Sequence, residues 1–446
     1  MMPLKPLEFE NALKLGLGRA ILHLQHVTQP TDYRDVVLTT CLEFGGYDPQ
    51  VEGMRTEYLF QAAQLTEILP RLRQALLERL ENPDDDSWDA LQRLELLAQF
   101  AREGDEEARV ALRGYYLRLT HPHSPIEGIV ASILLHLDGV QAFLFVIRQL
   151  GRVFQIDLEK AEDNSFLNEA RELMGQQSVA LLLEQHGQEP EVMAYLERIE
   201  HTQQRRQERK RQQPPQQPQP YSVARAWAEE RPEFCGKLLN WGWMATDEEL
   251  LKAAQDVVLE QDPEILASLL CIFRNLHRKL GQRTGRAFPL GPLPLISLAW
   301  HSNSRVAERA AYMLEAFVSA EVRQTALELL KDAERVSNAI ALFKLNFAPG
   351  DEAALEAGLH LVTTERPDYE TAEYVRQFID VVRGHPNPAM LALLVQAYVH
   401  LPCAHCRETL VLLLEQHRAL PEWLAEEAAL DARQEMREYF RARATP

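Results

Sequence analysis

Long apolar runs are missing. "AFLFVI" at 142–147 and "LVLLL" at 410–414 are the size of core segments, whereas a helix that spans a bilayer needs about 20 apolar residues in succession. No membrane span is expected. The amino terminus carries Glu8 and Glu10 and has no continuous apolar stretch, so no secretory signal is expected either. Cysteine is scarce, with five in 446 residues. An odd number scattered over so long a chain does not look like a disulfide framework, and a reduced, cytoplasmic setting is the expectation. Positive charge is outweighed, with 47 Lys and Arg against 66 Asp and Glu and a net charge of −19. Such a surface repels phosphate backbones, so nucleic acid and anionic membranes are not the expected partners. Alternating apolar and polar runs of the β type are nearly absent. So are H-E-x-x-H, G-x-S-x-G and Walker A patterns, which removes the sequence signals of a zinc protease, a serine hydrolase and a P-loop nucleotidase.

What is present is helical periodicity. "RVAERAAYMLEAF" places Val306, Ala310, Met313, Leu314 and Phe317 on one helical face. "EVRQTALELL" repeats the stencil with Val322, Ala326, Leu329 and Leu330. The same reading predicts helices over 7–26, 33–44, 54–68, 71–81, 87–103, 105–119, 124–136, 139–154 and 162–187. In the second half it predicts them over 222–231, 246–260, 262–279, 334–345, 369–383, 387–400, 403–417 and 430–441. Turns are short. Thr246 and Glu249 match a capping box, and "HPNP" at 385–388 closes one helix and opens the next. "NPDDDS" at 82–87 reads as a solvated loop and helix start. The chain is too long for one ordinary core. The expected fold class is all-α, a solenoid of stacked antiparallel helix pairs.

One stretch interrupts the pattern. "TQQRRQERKRQQPPQQPQP" at 202–220 has no apolar residue. Its first part is expected to prolong the preceding helix into solvent, and its Pro/Gln-rich part to act as a semi-rigid linker. The expected division is therefore a helical-repeat domain at 1–201, a linker at 202–220 and a second helical-repeat domain at 221–446.

An apolar residue followed by arginine recurs near helix starts: Met54-Arg55, Val322-Arg323, Val375-Arg376, Cys406-Arg407 and Met436-Arg437. The apolar member fits a packing slot, where a free cysteine serves as a small hydrophobe. The arginine can cover apolar surface with its stem and pair with a carboxylate of a neighbouring repeat. "EVRQTALELL" resembles the second helix of a HEAT-type repeat, in which an acidic or amide residue precedes V-R-x-x-A-x-x-x-L. "NSRVAERAAYML" is similar, with Asn303 leading and Ala307 where arginine is usual. The resemblance covers about 300–345 and 385–441. It implies a curved, armadillo-like α-solenoid that binds a protein along a concave face, with motif residues that pack and do not catalyse. The stencils at 306 and 322 lie too close together to be equivalent positions of successive repeats, so they are read as successive helices. The chain ends echo each other as well: Asp48, Glu52, Met54 and Arg55 parallel Asp431, Glu435, Met436 and Arg437, with a gap.

Candidate chemistry is sparse. Cys403 and Cys406 form a C-x-x-C pair around His405. No second pair and no H-x(3–5)-H follows, so a zinc site lacks ligands. A thioredoxin-like pair follows a strand, and here a helix precedes. The preferred reading is a helix start. His121 and His123 in "THPHSP" read as solvated. "GLGRA" at 16–20 lies within a helical period and is read as a place where a neighbouring helix approaches. Two basic segments, "RRQERKR" at 205–211 and "HRKLGQRTGR" at 277–286, are read as a solvated helix end and a loop, with docking of an acidic partner or of nucleic acid as the functional alternative. Trp227, Trp241, Trp243 and Trp300 cluster in sequence. Core packing is the default for them and an interface anchor the sharper reading. No catalytic, cofactor-binding or metal-ligating residues and no cofactor are assigned. The expected function is that of a non-catalytic cytoplasmic scaffold or adaptor for a protein partner. The alternatives are a HEAT-like enzyme, of the chromophore lyase or DNA glycosylase type, or a regulatory subunit of a neighbouring enzyme.

Overall fold

The computed structural model describes residues 4–46, 55–80, 88–119, 125–156, 164–212, 219–230, 235–274, 278–279, 282–283, 286–365 and 369–444. The described chain is helical almost throughout. The exception is a minimal antiparallel hairpin that pairs Arg278–Lys279 with Gln282–Arg283. No helix among the described residues is long and apolar enough to cross a membrane.

The periodic stencils become buried faces. Val306, Ala310, Met313 and Leu314 are buried on the helix Ser304–Leu314, and Val322, Ala326 and Leu329 on Ala320–Leu329. Phe317 lies beyond the first of these helices. The starts are set by side chains that accept the orphan amide protons of the first turn. Asp105, Asp262, Asn303, Ser319 and Asn387 all do so. Thr246 caps Asp247–Leu259 by accepting from the Glu249 N–H at 3.3 Å. The Glu249 carboxylate does not reach back, however. It accepts the Tyr221 N–H at 2.6 Å and so ties two helices together.

Several expected helices are divided. The 7–26 segment breaks into Pro6–Leu15 and Gly18–His26, with Gly16 at φ 75°, a left-handed conformation that glycine adopts without a Cβ penalty. The 162–187 segment breaks at Gly175 into Ser165–Met174 and Gln176–His186. The helix expected over 262–279 stops at Cys271, and the chain enters the hairpin. That expectation followed the apolar spacing of 262–273 too far into a stretch rich in arginine and glycine. The 334–345 helix keeps its course but tightens to a 3-10 turn at Ile340–Leu342.

The chain forms two compact units. The first comprises Met1–Pro215 together with Glu426–Pro446, and the second Gln216–Ala425. In the first, alternate helices pack in sequence: Arg34–Leu42 on Thr56–Leu65, then Trp88–Arg102, then Pro125–Asp138, then Ser165–Met174. In the second the series runs from Pro263–Cys271 through Ser304–Leu314, Val336–Ala339 and Tyr369–Gly384 to Ala404–Gln416. Each helix also meets others nearby in sequence, the pattern that repeated helix pairs produce.

The last segment, from Glu426, belongs with the first unit and not with 221–425 as expected. The physical reason is a seam of contacts. Arg19 donates to both carboxylate oxygens of the fully buried Glu427, with Nη2 to Oε2 at 2.8 Å. The Ala432 N–H donates to the Gly16 carbonyl at 2.8 Å. The glycines allow this approach: a Cβ on Gly18 would lie 1.9 Å from the Glu427 carbonyl oxygen. The small residues of "GLGRA" therefore serve a close packing contact, although within a broken helix. The expected helical prolongation of 202–212 is present, since Pro190–Gln212 is one helix with exposed side chains over 203–209. The Pro/Gln core of the linker at 213–218, the loop 82–87, Asp48, Glu52, Met54, His121 and His123 lie outside the described residues.

Candidate functional site

The C-x-x-C pair starts a helix. Cys403 is the N-cap of Ala404–Gln416, and its sulfur accepts the Cys406 N–H at 3.4 Å. Both thiols are buried. A helix N-terminus by itself lowers a thiol's pKa. At Cys406 the hydrogen bond with Cys403, and then burial, hold the thiol well above its ordinary value, against the opposing pull of Arg376 and Arg407. Such a thiol is a poor nucleophile at neutral pH. His405 is exposed and turns toward Glu408 on its own helix. Among the described residues no group of three or more His, Cys, Asp or Glu is arranged to hold a metal ion.

The arginines of the apolar-plus-arginine pairs have four uses, and the first is that of Arg55, which is buried and donates Nη1 to the Lys14 carbonyl of another helix. Arg407, fully buried, donates Nη1 to the carbonyls of Leu401 (2.8 Å) and Pro402 (3.0 Å) in the turn before its own helix. Arg437, also buried, does the same with Asp431 and Ala432, both at 2.7 Å, and adds Glu57 at 2.8 Å through Nη2. Both arginines satisfy carbonyls six and five residues upstream. Arg323 instead reaches a different helix pair, donating through two nitrogens to Asp351, with Nε at 3.0 Å. Arg376 pairs with Glu373 on its own helix. The pairing across repeats expected of all five is thus the use of some.

Cross-helix ties of this kind recur in both units, mostly from arginines outside the motif. Arg73 donates to Asp105, Arg113 to Asp138 and Arg148 to Glu189 in the first unit. Arg225 donates to Glu260 and Arg305 to Glu264 in the second. Most of these acids sit at a helix boundary, so one fork holds the body of a helix to the turn of another. The Arg73 guanidinium, above all, pulls the Asp105 carboxyl below its usual value. Arg148, followed by His186, brings Glu189 down to about 2. These carboxylates are paired and ionised, which suits tethering and not proton transfer.

Cys235 and Cys271 form a disulfide, with sulfurs 2.07 Å apart and a sequence separation of 36. This corrects the expectation that none of the five cysteines is paired. Packing of Gly236–Met244 against Pro263–Cys271 brings the two together, assisted by Gly242, where a Cβ would lie 2.0 Å from the Ile272 carbonyl oxygen. Cysteine counting could not reveal a contact that depends on stacking.

The tryptophans split. Trp241 is buried and donates Nε1 to the Gln219 carbonyl at 2.6 Å. Trp243 and Trp300 remain 38% and 41% exposed, and the Arg335 guanidinium stands 5.6 Å from the centroid of the Trp300 ring. Leu251 and Val258, seven residues apart on Asp247–Leu259, are exposed on one face of that helix. Of the basic segment 277–286, Arg286 is spent locally on the Ala245 carbonyl and Asp247. Just before it, a cluster unmarked by any motif appears: Arg274 with Arg305 and Arg309. The signal that could have found it is the i, i+4, i+7 spacing of Arg305, Arg309 and Tyr312. No protein-family model, no curated protein and no solved structure matches the chain.

Proposed function

We propose that this chain is a non-catalytic scaffold or adaptor, a HEAT-like stack of helix pairs that binds a protein partner on its helical surface in the cytoplasm. The observation that carries the reading is the way charge is used. Arginines and carboxylates are joined in ties between helices and turns, while large aromatic and aliphatic side chains of the second unit stay exposed at Trp243, Trp300, Leu251 and Val258. Stacked helix pairs bury only their neighbour contacts and leave long faces for a partner. Tryptophans on such faces are the usual anchors.

The test is affinity purification of the full chain from its native host, with mass spectrometry of what co-elutes. The expected result is one protein recovered in stoichiometric amount with the wild type and lost with Trp243→Ala/Trp300→Ala. A clean monomer in both preparations overturns the reading.

A further inference from the structure

We infer that neutral His23 is the latch of an acid-released strap, which consists of Leu4 and the helix Pro6–Leu15 of the first unit. The inference stands apart from the scaffold reading. His23 lies on Gly18–His26 and is buried. Its Nδ1 accepts the Leu4 N–H at 3.1 Å, across 19 positions of chain. A ring nitrogen that accepts carries no proton, so the proton of the neutral imidazole is on Nε2. Among the described residues that second nitrogen is buried without a hydrogen-bond partner. Phe9 and Tyr33 enclose the ring, with centroids 5.2 and 4.9 Å from its own.

The charged groups of the surrounding elements are exposed or paired elsewhere. On the strap, Lys5, Glu8 and Lys14 are exposed. Glu8 accepts the Lys5 N–H at 2.9 Å, and Glu10 pairs with Lys14 at 2.7 Å. The 3-10 turn Pro30–Tyr33 brings the Tyr33 ring to His23, and its Asp32 is exposed. On Arg34–Leu42, Asp35 pairs with Arg71 and Arg34 with Glu67. On the helix of His23 itself, Arg19 is bound to Glu427, and the exposed His26 has its Nδ1 against the Leu22 carbonyl. Burial pushes the His23 pKa below its ordinary 6.5.

A proton on Nδ1 turns the acceptor into a donor that faces the Leu4 N–H, and it puts a charge in a buried site. Both costs are relieved when the strap lifts and the imidazolium meets water. The two ends of the strap are held differently. At the far end Arg55 donates to the Lys14 carbonyl, and the Ala432 N–H donates to the Gly16 carbonyl at 2.8 Å. The near end has the Leu4–His23 bond and the packing of the Phe9 ring. Opening therefore starts at the near end and bares Phe9, which is fully buried when the strap is closed. The sign follows from linkage. The closed state has the lower His23 pKa, so the lifted state binds more protons. Closure is fully favoured above 6.5 and weakens as pH falls below it.

The experiment measures hydrogen exchange of the strap amides in the full chain, corrected for intrinsic rates, at about pH 7.5 and about pH 5.5. Wild-type protection over 9–13 is expected to fall severalfold, toward the roughly tenfold that one unit below 6.5 allows for a single proton. His23→Gln can accept the Leu4 N–H through its amide oxygen without titrating, and is expected to change less than about twofold between the same conditions. His26→Gln is expected to keep the wild-type response. Should His23→Gln be open at both pH values, an NMR titration of the wild-type His23 ring decides. Its midpoint is expected below 6.5, with the loss of protection setting in near 6.5 and levelling off beneath that midpoint. A wild-type strap equally protected at both pH values, an undiminished response in a closed His23→Gln, or a ring midpoint at or above 6.5 overturns the inference.

Discussion

Arg407 in the second unit and Arg437 in the first occupy the same slot and make the same pair of bonds, to carbonyls six and five residues back. They differ in what else they meet. Arg437 has the half-exposed Glu57, 380 positions away in the chain, whereas Arg407 is sealed inside its unit with no exposure at all. The lesson is that in these two pairs the arginine closes the turn before its own helix, a use that Arg323 and Arg376 do not share. Arg437 adds the Glu57 carboxylate to that closure. Carbonyls at a helix entrance need donors, and a buried guanidinium supplies several in a fixed fork.

The comparison can be broken most directly at Arg407. Arg407→Ala should destabilise the second unit by about 3–5 kcal/mol, because buried carbonyls lose a charged donor and a large side chain leaves a void. Arg437→Ala should cost somewhat less, since the freed Glu57 is exposed to water. Urea unfolding followed by tryptophan fluorescence measures both, and equal costs would show Glu57 to be worth more than its exposure suggests. Next in size is the disulfide, which only the second unit has. Cys235→Ser/Cys271→Ser should lower its stability by about 3 kcal/mol from the loop that it closes. Under denaturing, non-reducing conditions a thiol reagent should count three free cysteines, Cys41, Cys403 and Cys406. A count of five would return the protein to the all-reduced expectation.

Asp351→Ala sharpens the contrast between ties and closures. It removes an almost fully buried acceptor for Arg323 and for the Ala348 N–H, and should cost about 2 kcal/mol. In the first unit the ladder carboxylates give a pH signature. Asp105 and Glu189 have folded pKa values below their unfolded ones. Their contribution is therefore fully present above the ordinary carboxylate range. It is lost as pH falls, for Glu189 between the ordinary 4.5 and about 2. The melting temperature should fall through that window and flatten in Arg148→Gln. The smallest effect is expected at the C-x-x-C pair. Cys403→Ser keeps an N-cap acceptor of a type that helices prefer, so melting should stay within about 1 kcal/mol of wild type. The absence of bound zinc before and after the substitution is the companion measurement.

Much of the architecture was legible because period 3.6 is a one-dimensional signal. Val322, Ala326 and Leu329 declare their buried face without knowledge of any neighbour. Thr246 and Asn387 declare helix starts for the same reason. What failed was of two kinds. Gly16 and Gly175 interrupt helices at left-handed φ, yet glycine within a periodic run does not announce whether it ends a helix or admits a neighbour. Glu249 satisfies a capping pattern on paper, but Tyr221 offers its N–H and takes the carboxylate. The other failures are contacts fixed by stacking. The Cys235–Cys271 bridge and the seam between "GLGRA" and Glu427 join residues that share no local pattern.

That seam bears on how the protein is made. The first helices emerge from the ribosome with the Gly16–Gly18 groove and Arg19 uncovered, and the residues that cover them, Glu427 and Ala432, are translated some 400 positions later. Throughout that interval the early helices stand open, and the second unit is synthesised and can fold before the first is complete. A chain stopped before Glu427 would lack these contacts, so the first unit would be left incomplete rather than merely short.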